Sequence, residues 1–251
     1  MFGRIGRLGA TRRGATAPWS IDDVPDLLLW LEADDLSTLF QDDAGATPVD
    51  TAAQTVGQWR DKSGAGNHLV QATSGSRPAY DTDGTYHWVQ GDGTDDWLRV
   101  AFASGVAQPW WRVTAARSIS HTSSDRIYGP SSGSLSGFLV QSAVSGSLHT
   151  YNGTSVPDGN GLAGMGVGED HVVTEIVNGN DSVLAYDDGS PSVTSAGGPS
   201  GVLGVTMFAS GTGTQVAAAR IYAMAMGRGV PTEAQLARIR EYLAAKGGIS
   251  F

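Results

Sequence analysis

The sequence predicts an all-β protein, and three observations predict it. Glycine is abundant, 35 of 251 residues, while charged residues make up only 16%, a turn-rich composition rather than a helical or disordered one. Apolar runs of period two recur between turn signals. Trp110 to Ser120 sets Trp111, Val113 and Ala115 on one side and Trp110, Arg112 and Thr114 on the other, the pattern of a half-buried strand. Residues 57–100 concentrate the turn chemistry: Trp59, Trp88 and Trp97 sit among Ser63-Gly64-Ala65-Gly66-Asn67, Thr82-Asp83-Gly84 and Gly91-Asp92-Gly93. Gly and Asn supply the positive φ of a sharp reversal, and the aromatics supply surface to bury between sheets.

Taken in order, residues 1–18 (MFGRIGRLGATRRGATAP) form a basic arm. Its three early glycines each cost a helix about 1 kcal/mol relative to Ala, so the arm is expected to be extended, the alternative being a disordered terminus. Residues 19–251 are expected to form one domain, a size that all-β domains reach. Leu27 to Leu31 reads as a buried strand running into the polar turn Glu32-Ala33-Asp34-Asp35, and Thr55 to Trp59 as a short strand. Between residues 121 and 170, short apolar runs alternate with Gly/Ser/Asn turns. His171 to Val177 and Ser182 to Tyr186 flank Asn178-Gly179-Asn180-Asp181, the clearest hairpin signal in the chain. Residues 202–209 and Gln215 to Met226 give the last strands. Pro231-Thr232-Glu233 opens the one helix, with Leu236, Ile239, Tyr242 and Leu243 on one face and Lys246-Gly247-Gly248 at its end.

Composition excludes several chemistries. With no cysteine there is no disulfide, thiolate metal site or Cys nucleophile. No apolar run approaches the roughly 18 residues of a membrane span, and no export signal is expected in residues 1–20. The net charge is −9, but Arg4, Arg7, Arg12 and Arg13 stand in an acid-free first 20 residues, leaving 12 basic against 25 acidic residues beyond them. An acidic body disfavours nucleic acid, and a basic arm suits an acidic partner.

Several motifs stand together: Trp59-Arg60-Asp61-Lys62-Ser63-Gly64-Ala65-Gly66-Asn67-His68, Gln71-Ala72, Arg77-Pro78-Ala79-Tyr80, Gly91 to Leu98, Leu27 to Asp34, Tyr186-Asp187-Asp188-Gly189, Ala219 to Met226, and the tail Tyr242 to Ile249. Together they resemble laminin-G-like, concanavalin-type jelly-roll domains, in the version found in structural proteins of tailed bacteriophages and prophages. The resemblance covers about residues 19–251. It implies a two-sheet antiparallel jelly-roll sandwich with one C-terminal helix, to which the sequence adds an extended N-terminal arm. In the motif, Asp61 and Asn67 are expected to pin the Ser-Gly-x-Gly loop.

The resemblance also implies a function. It points to a non-enzymatic virion component, assembled in the bacterial cytoplasm and displayed on the particle, homo-oligomeric within its assembly and without nucleic acid or membrane insertion. Phe2, Arg4, Ile5, Arg7, Leu8, Arg12 and Arg13 are its candidate anchor to capsid, neck or tail proteins, and the sandwich would decorate the particle or touch host glycans. Carbohydrate binding uses exposed aromatic faces, for which Trp110, Trp111, Tyr128 and Tyr151 are the candidates, against the competing reading that most tryptophans pack the core. No cofactor is expected except, at low weight, calcium, which some relatives hold at a loop rim and for which Asp92, Asp95 and Asp96 offer hard oxygens; such residues also cap turn amides.

No catalytic residue is assigned. Five scattered histidines give neither a Ser/His/Asp set nor zinc spacing. Glu169 and Glu175 would stand about 20 Å apart along a strand, unlike a glycosidase pair. The alternatives to the particle reading are a polysaccharide-cleaving glycoside hydrolase and a free carbohydrate-binding module.

Overall fold

The structure, a computed structural model, describes residues 19–120, 125–131, 136–141, 148–152, 155–156, 162, 166–190, 192–195 and 201–251. The basic arm and its seven anchoring candidates lie outside the described residues. Among the described residues, seventeen strands follow one another: β1 (Leu27–Glu32), β2 (Leu39–Phe40), β3 (Gln58–Trp59), β4 (Leu69–Val70), β5 (Ala79–Thr82), β6 (His87–Asp92), β7 (Leu98–Val106), β8 (Trp110–Ser120), β9 (Arg126–Gly129), β10 (Ser136–Gln141), β11 (Leu148–Asn152), β12 (Ser155–Val156), β13 (Asp170–Val177), β14 (Ser182–Tyr186), β15 (Ser192–Ser195), β16 (Val202–Met207) and β17 (Ala218–Arg228). One helix, α1 (Glu233–Gly247), ends the chain.

The strands form two antiparallel sheets. The first has the order β15-β14-β13-β8-β17-β6-β5, with β1 also paired to β17; the second has the order β12-β11-β10-β9-β16-β7-β4-β3-β2. Between them lies the larger core, including Leu29, Leu31, Trp59, Trp110, Val173, Met207, Phe208 and Met224. Close approach of the sheets demands glycine at position 91, where an added Cβ would stand 2.7 Å from the Phe208 ring.

The outer face of the first sheet carries the second core. Here α1 lays Ile239, Leu243 and Ala244 over Trp111, Val113, Ala115, Val172, Ala223 and Ala225. The helix starts where its capping chemistry directs: Thr232 accepts the Gln235 amide while the Gln235 side chain accepts the Thr232 amide, satisfying donors at the exposed end. It stops at Gly248, whose φ of 65° is the left-handed conformation that ends helices.

The resembling motif proves architectural. Asp61 Oδ1 accepts the amides of Trp30 and Ser63, and Oδ2 accepts the Ser63 hydroxyl and the Asn67 amide, all between 2.8 and 3.0 Å. Asn67 Nδ2 donates to Leu28 O at 2.7 Å. The glycine loop is thereby tied to β1. Arg77 donates to the carbonyls of Gln41, Gln71 and Ala72, fixing the next turn by the same means.

Candidate functional site

Strand parity decides which side chains reach the surface. On β8, Trp111, Val113 and Ala115 point outward beneath the helix and Arg117 follows on the same face. On β17, Arg220 lies between the inward Ala219 and Ile221. Trp88 and Gln90 share the outer face of β6, and Asp170 precedes the outward Val172 by two on β13. The registers Gln90↔Arg220, Arg220↔Arg117 and Arg117↔Asp170 align these residues across four adjacent strands. A half-buried polar row therefore crosses the sheet just beyond the apolar area that α1 covers.

The row is held by its own bonds. Arg117 grips Asp170 with two prongs, Nε to Oδ1 at 2.9 Å and Nη2 to Oδ2. Tyr222 donates to Asp170 Oδ1 at 2.6 Å, and its hydroxyl is pushed up to about 12, first by burial and then by that carboxylate. Arg220 donates from Nε to Gln90 Oε1 at 3.0 Å and lies 4.1 Å over the Trp88 ring. Trp88 stands edge-on to Tyr222. No carboxylate pairs with Arg220 among the described residues.

At the end of this row, Asp92 closes β6 and opens the turn to β7. Asp92, Asp95 and Asp96 come together, one oxygen of each lying within 4.8 Å of the others. Their proton affinities diverge. Burial alone would raise Asp92, but the amides of Thr94, Asp95 and Asp96 turn the balance and lower it. Asp96 is pushed up to about 6 by burial and by the Asp92 and Asp95 charges, against one amide bond from Asp92. Asp95 accepts the Ser76 hydroxyl. Trp97 packs on Gly213 and under Arg99. These three carboxylates are the described residues that could hold a cation; calcium takes six to eight oxygens, so carbonyls and water would have to supply the rest.

The aromatic candidates are placed differently from expectation. Trp110, Trp111 and Tyr128 are 0%, 1% and 0% exposed, so none offers a ring face to a saccharide. Trp110 fills the space between the sheets and Trp111 lies under the helix, because the strand carrying them is covered on both sides. The side chain of Tyr151 lies outside the described residues. Tyr128 instead donates to Glu175 at 2.6 Å, and Arg112 completes a fully buried trio between the sheets. Glu169 is exposed while Glu175 is enclosed, so these two glutamates do not form a pair.

Sequence reading missed the polar row. Its available signal is a change along one face: outward positions of β8 and β17 are apolar up to Ala115 and Ala223 and charged at Arg117 and Arg220.

No protein-family model matches the chain, and no curated protein matches it in sequence. Solved structures do match. A GH54 α-L-arabinofuranosidase soaked with a cyclic sulfate inhibitor aligns over 90% of this chain and 64% of its own, at TM-score 0.63 and 14% identity. An arabinofuranosidase complexed with arabinofuranosyl-α-1,2-xylobiose aligns over 76% of this chain and 51% of its own, at TM-score 0.54 and 14% identity. Trypanosoma rangeli sialidase in complex with sialic acid aligns over 95% of this chain and 35% of its own, at TM-score 0.56 and 9% identity. The chain thus spans less than two thirds of each of these enzymes: 64% of the first, 51% of the second and 35% of the sialidase. The likeness establishes the sandwich fold. It also corrects the expected function: these matching structures are glycoside hydrolases, which counts against the non-enzymatic particle component.

Proposed function

We propose that the chain is a carbohydrate-active β-sandwich that cleaves glycosidic bonds, with Asp92 and Asp96 as its carboxyl pair. The fold shared with an arabinofuranosidase over 90% of the chain supports the substrate class. The observation that carries the assignment is the opposite proton affinity of two neighbouring carboxyls at the edge of the open face. Asp96 holds its proton to about 6 while Asp92 is ionised, the division of labour between a general acid and its partner. One oxygen of each carboxyl lies within 4.8 Å of the other, nearer the separation of about 5–5.5 Å that suits a retaining reaction than the about 6.5–9.5 Å of inversion. In this scheme Asp96 protonates the departing oxygen, Asp92 attacks the anomeric carbon, and water then releases the sugar as Asp96 takes back the proton.

The test is turnover of an aryl-glycoside panel that includes arabinofuranosides, xylosides and sialosides. The wild type should cleave at least one, losing rate as pH rises through about 6. Asp92→Asn and Asp96→Asn should each lower kcat by about 10²–10⁴-fold. A folded wild type that cleaves nothing in the panel, or variants that cleave as it does, overturns the reading.

A further inference from the structure

Two guanidinium groups face each other where sheet chemistry disfavours them. Arg117 and Arg220 are register partners on β8 and β17, so their Cβ atoms stand about 5 Å apart, and like charges directly opposite are destabilising. Asp170 neutralises only Arg117. Arg220 is stacked on Trp88 and fixed through Nε by Gln90, an arrangement that orients a cation without cancelling it. The chain as a whole carries −9, so two facing arginines that share a single carboxylate on an open sheet face run against its general electrostatics. Like charges placed opposite each other with one carboxylate between them break a local rule, and such breaks are expected where function selects the residue.

We infer that Arg117 and Arg220 form a binding site for the carboxylate of an acidic sugar, a uronic acid residue within a glycan. The inference rests on the carbohydrate reading above and narrows its substrate class. Guanidinium groups present planar forks of N–H donors that match a carboxylate, and stacking on an aromatic face preorganises them. Gln90 spends its Oε1 on Arg220, which leaves its amide N–H groups to serve sugar hydroxyls. Asp92 lies two residues beyond Gln90 on the same face of β6, about 7 Å along the strand. A uronate held at the arginines would therefore sit beside the proposed carboxyl pair.

The experiment is calorimetric titration of the full chain with trigalacturonate and with the same trisaccharide after reduction of its carboxylates to alcohols. Wild type should bind the acidic form about ten- to a hundred-fold more tightly. Arg220→Gln should erase that preference, bringing the affinity for the acidic form down to that for the neutral one, and Arg220→Lys, which keeps charge but not the fork, should restore part of it. Equal affinity of wild type for the two trisaccharides overturns the inference and needs no variant, so it decides even where Arg220→Gln fails to fold. Unchanged preference in a folded Arg220→Gln also overturns it. Preference for the acidic form without turnover of any glycoside keeps this site and sinks the hydrolase reading. Cleavage of neutral glycosides with no acidic preference does the reverse, and binding of neither trisaccharide overturns the site.

Discussion

Strands β8 and β13 carry two arginine–carboxylate pairs, both between register partners, and the two pairs have opposite surroundings. Arg112–Glu175 is 2.8 Å long with both side chains wholly buried, whereas Arg117–Asp170 leaves its side chains 31% and 22% exposed. Five residues separate Arg112 from Arg117, an odd step that turns the second to the other face of the sheet. The inner pair is closed by Tyr128 from the second sheet, whose ring lies 3.7 Å from the Arg112 guanidinium and whose hydroxyl is held well above its usual range by burial and by the Glu175 charge. It ties the two sheets together through charge. The outer pair is one member of a row that continues to Arg220, and its spare donors face solvent. Identical chemistry on one strand pair thus serves architecture inside and recognition outside, and strand parity alone decides which.

Breaking the inner pair should give the largest effect. Glu175→Gln takes from the buried Arg112 the carboxylate that faces it, a change that costs about 3–5 kcal/mol. Denaturant titration should show that loss. The double variant Arg112→Met/Glu175→Leu removes both charges and should lose clearly less than the single one, since replacing a buried pair with apolar groups is often near neutral. A double variant as unstable as the single would contradict a purely electrostatic origin for the cost.

The distinction between these pairs explains what the sequence makes legible. Turn chemistry is local, so the Ser63 to Asn67 loop could be read as a turn, with Asp61 and Asn67 expected to pin it through the resemblance, and the helix limits followed from Thr232 and Gly248; the need for glycine at 91 could not be read, because it comes from Phe208 in the other sheet. Period two correctly grouped Arg112 with Trp110 and Thr114. It could not say that this side is buried, because that depends on Tyr128 arriving from another sheet to satisfy the charge. Trp110 and Trp111 were candidates for sugar stacking for the same reason: a strand covered on both faces looks, in sequence, like one covered on a single face. The polar row was illegible because Gln90, Arg117, Asp170 and Arg220 become neighbours only through registers among four strands far apart in the chain. The Asp92, Asp95 and Asp96 group was visible since one turn contains it, but the split in their proton affinities arises from burial of Asp96.

Asp96 offers the next largest effect, as a largely buried carboxyl that, unlike Glu175, has no arginine. Its pKa rises from 3.8 to about 6 on folding. Between those values the folded chain keeps a proton that the unfolded chain has released, so this group's contribution to stability falls as pH rises through the window and is level above it. The shift corresponds to roughly 3 kcal/mol at most. Asp96→Asn, which keeps an acceptor for the Asp92 amide, should therefore stabilise the protein by about 1–3 kcal/mol at pH 7 and make no difference near pH 3. Such a gain accompanied by lost turnover is the trade expected of a site whose charge serves chemistry. Equal stability of the two proteins at pH 7 would show that folding does not raise the proton affinity of this carboxyl.

The outer pair should give the smallest change in stability and a separate spectroscopic one. Asp170→Asn removes a partly exposed ion pair, for which about 1 kcal/mol or less is expected, several-fold below the Glu175→Gln loss. Tyr222 reports the same substitution independently, since its hydroxyl donates to Asp170 Oδ1 and titrates at about 12 partly because of that carboxylate. In Asp170→Asn the phenolate no longer forms beside a negative charge and keeps Arg117 nearby, so ultraviolet titration should show Tyr222 ionising closer to its ordinary 10. Burial is the larger cause and persists, so the fall should be partial. A stability loss as large as that of Glu175→Gln would mean that the outer arginine is also a structural tie, and the contrast between the two faces of β8 and β13 would collapse. A small loss with a shifted Tyr222 would leave the contrast standing and show that the open face tolerates changes in charge that the core does not.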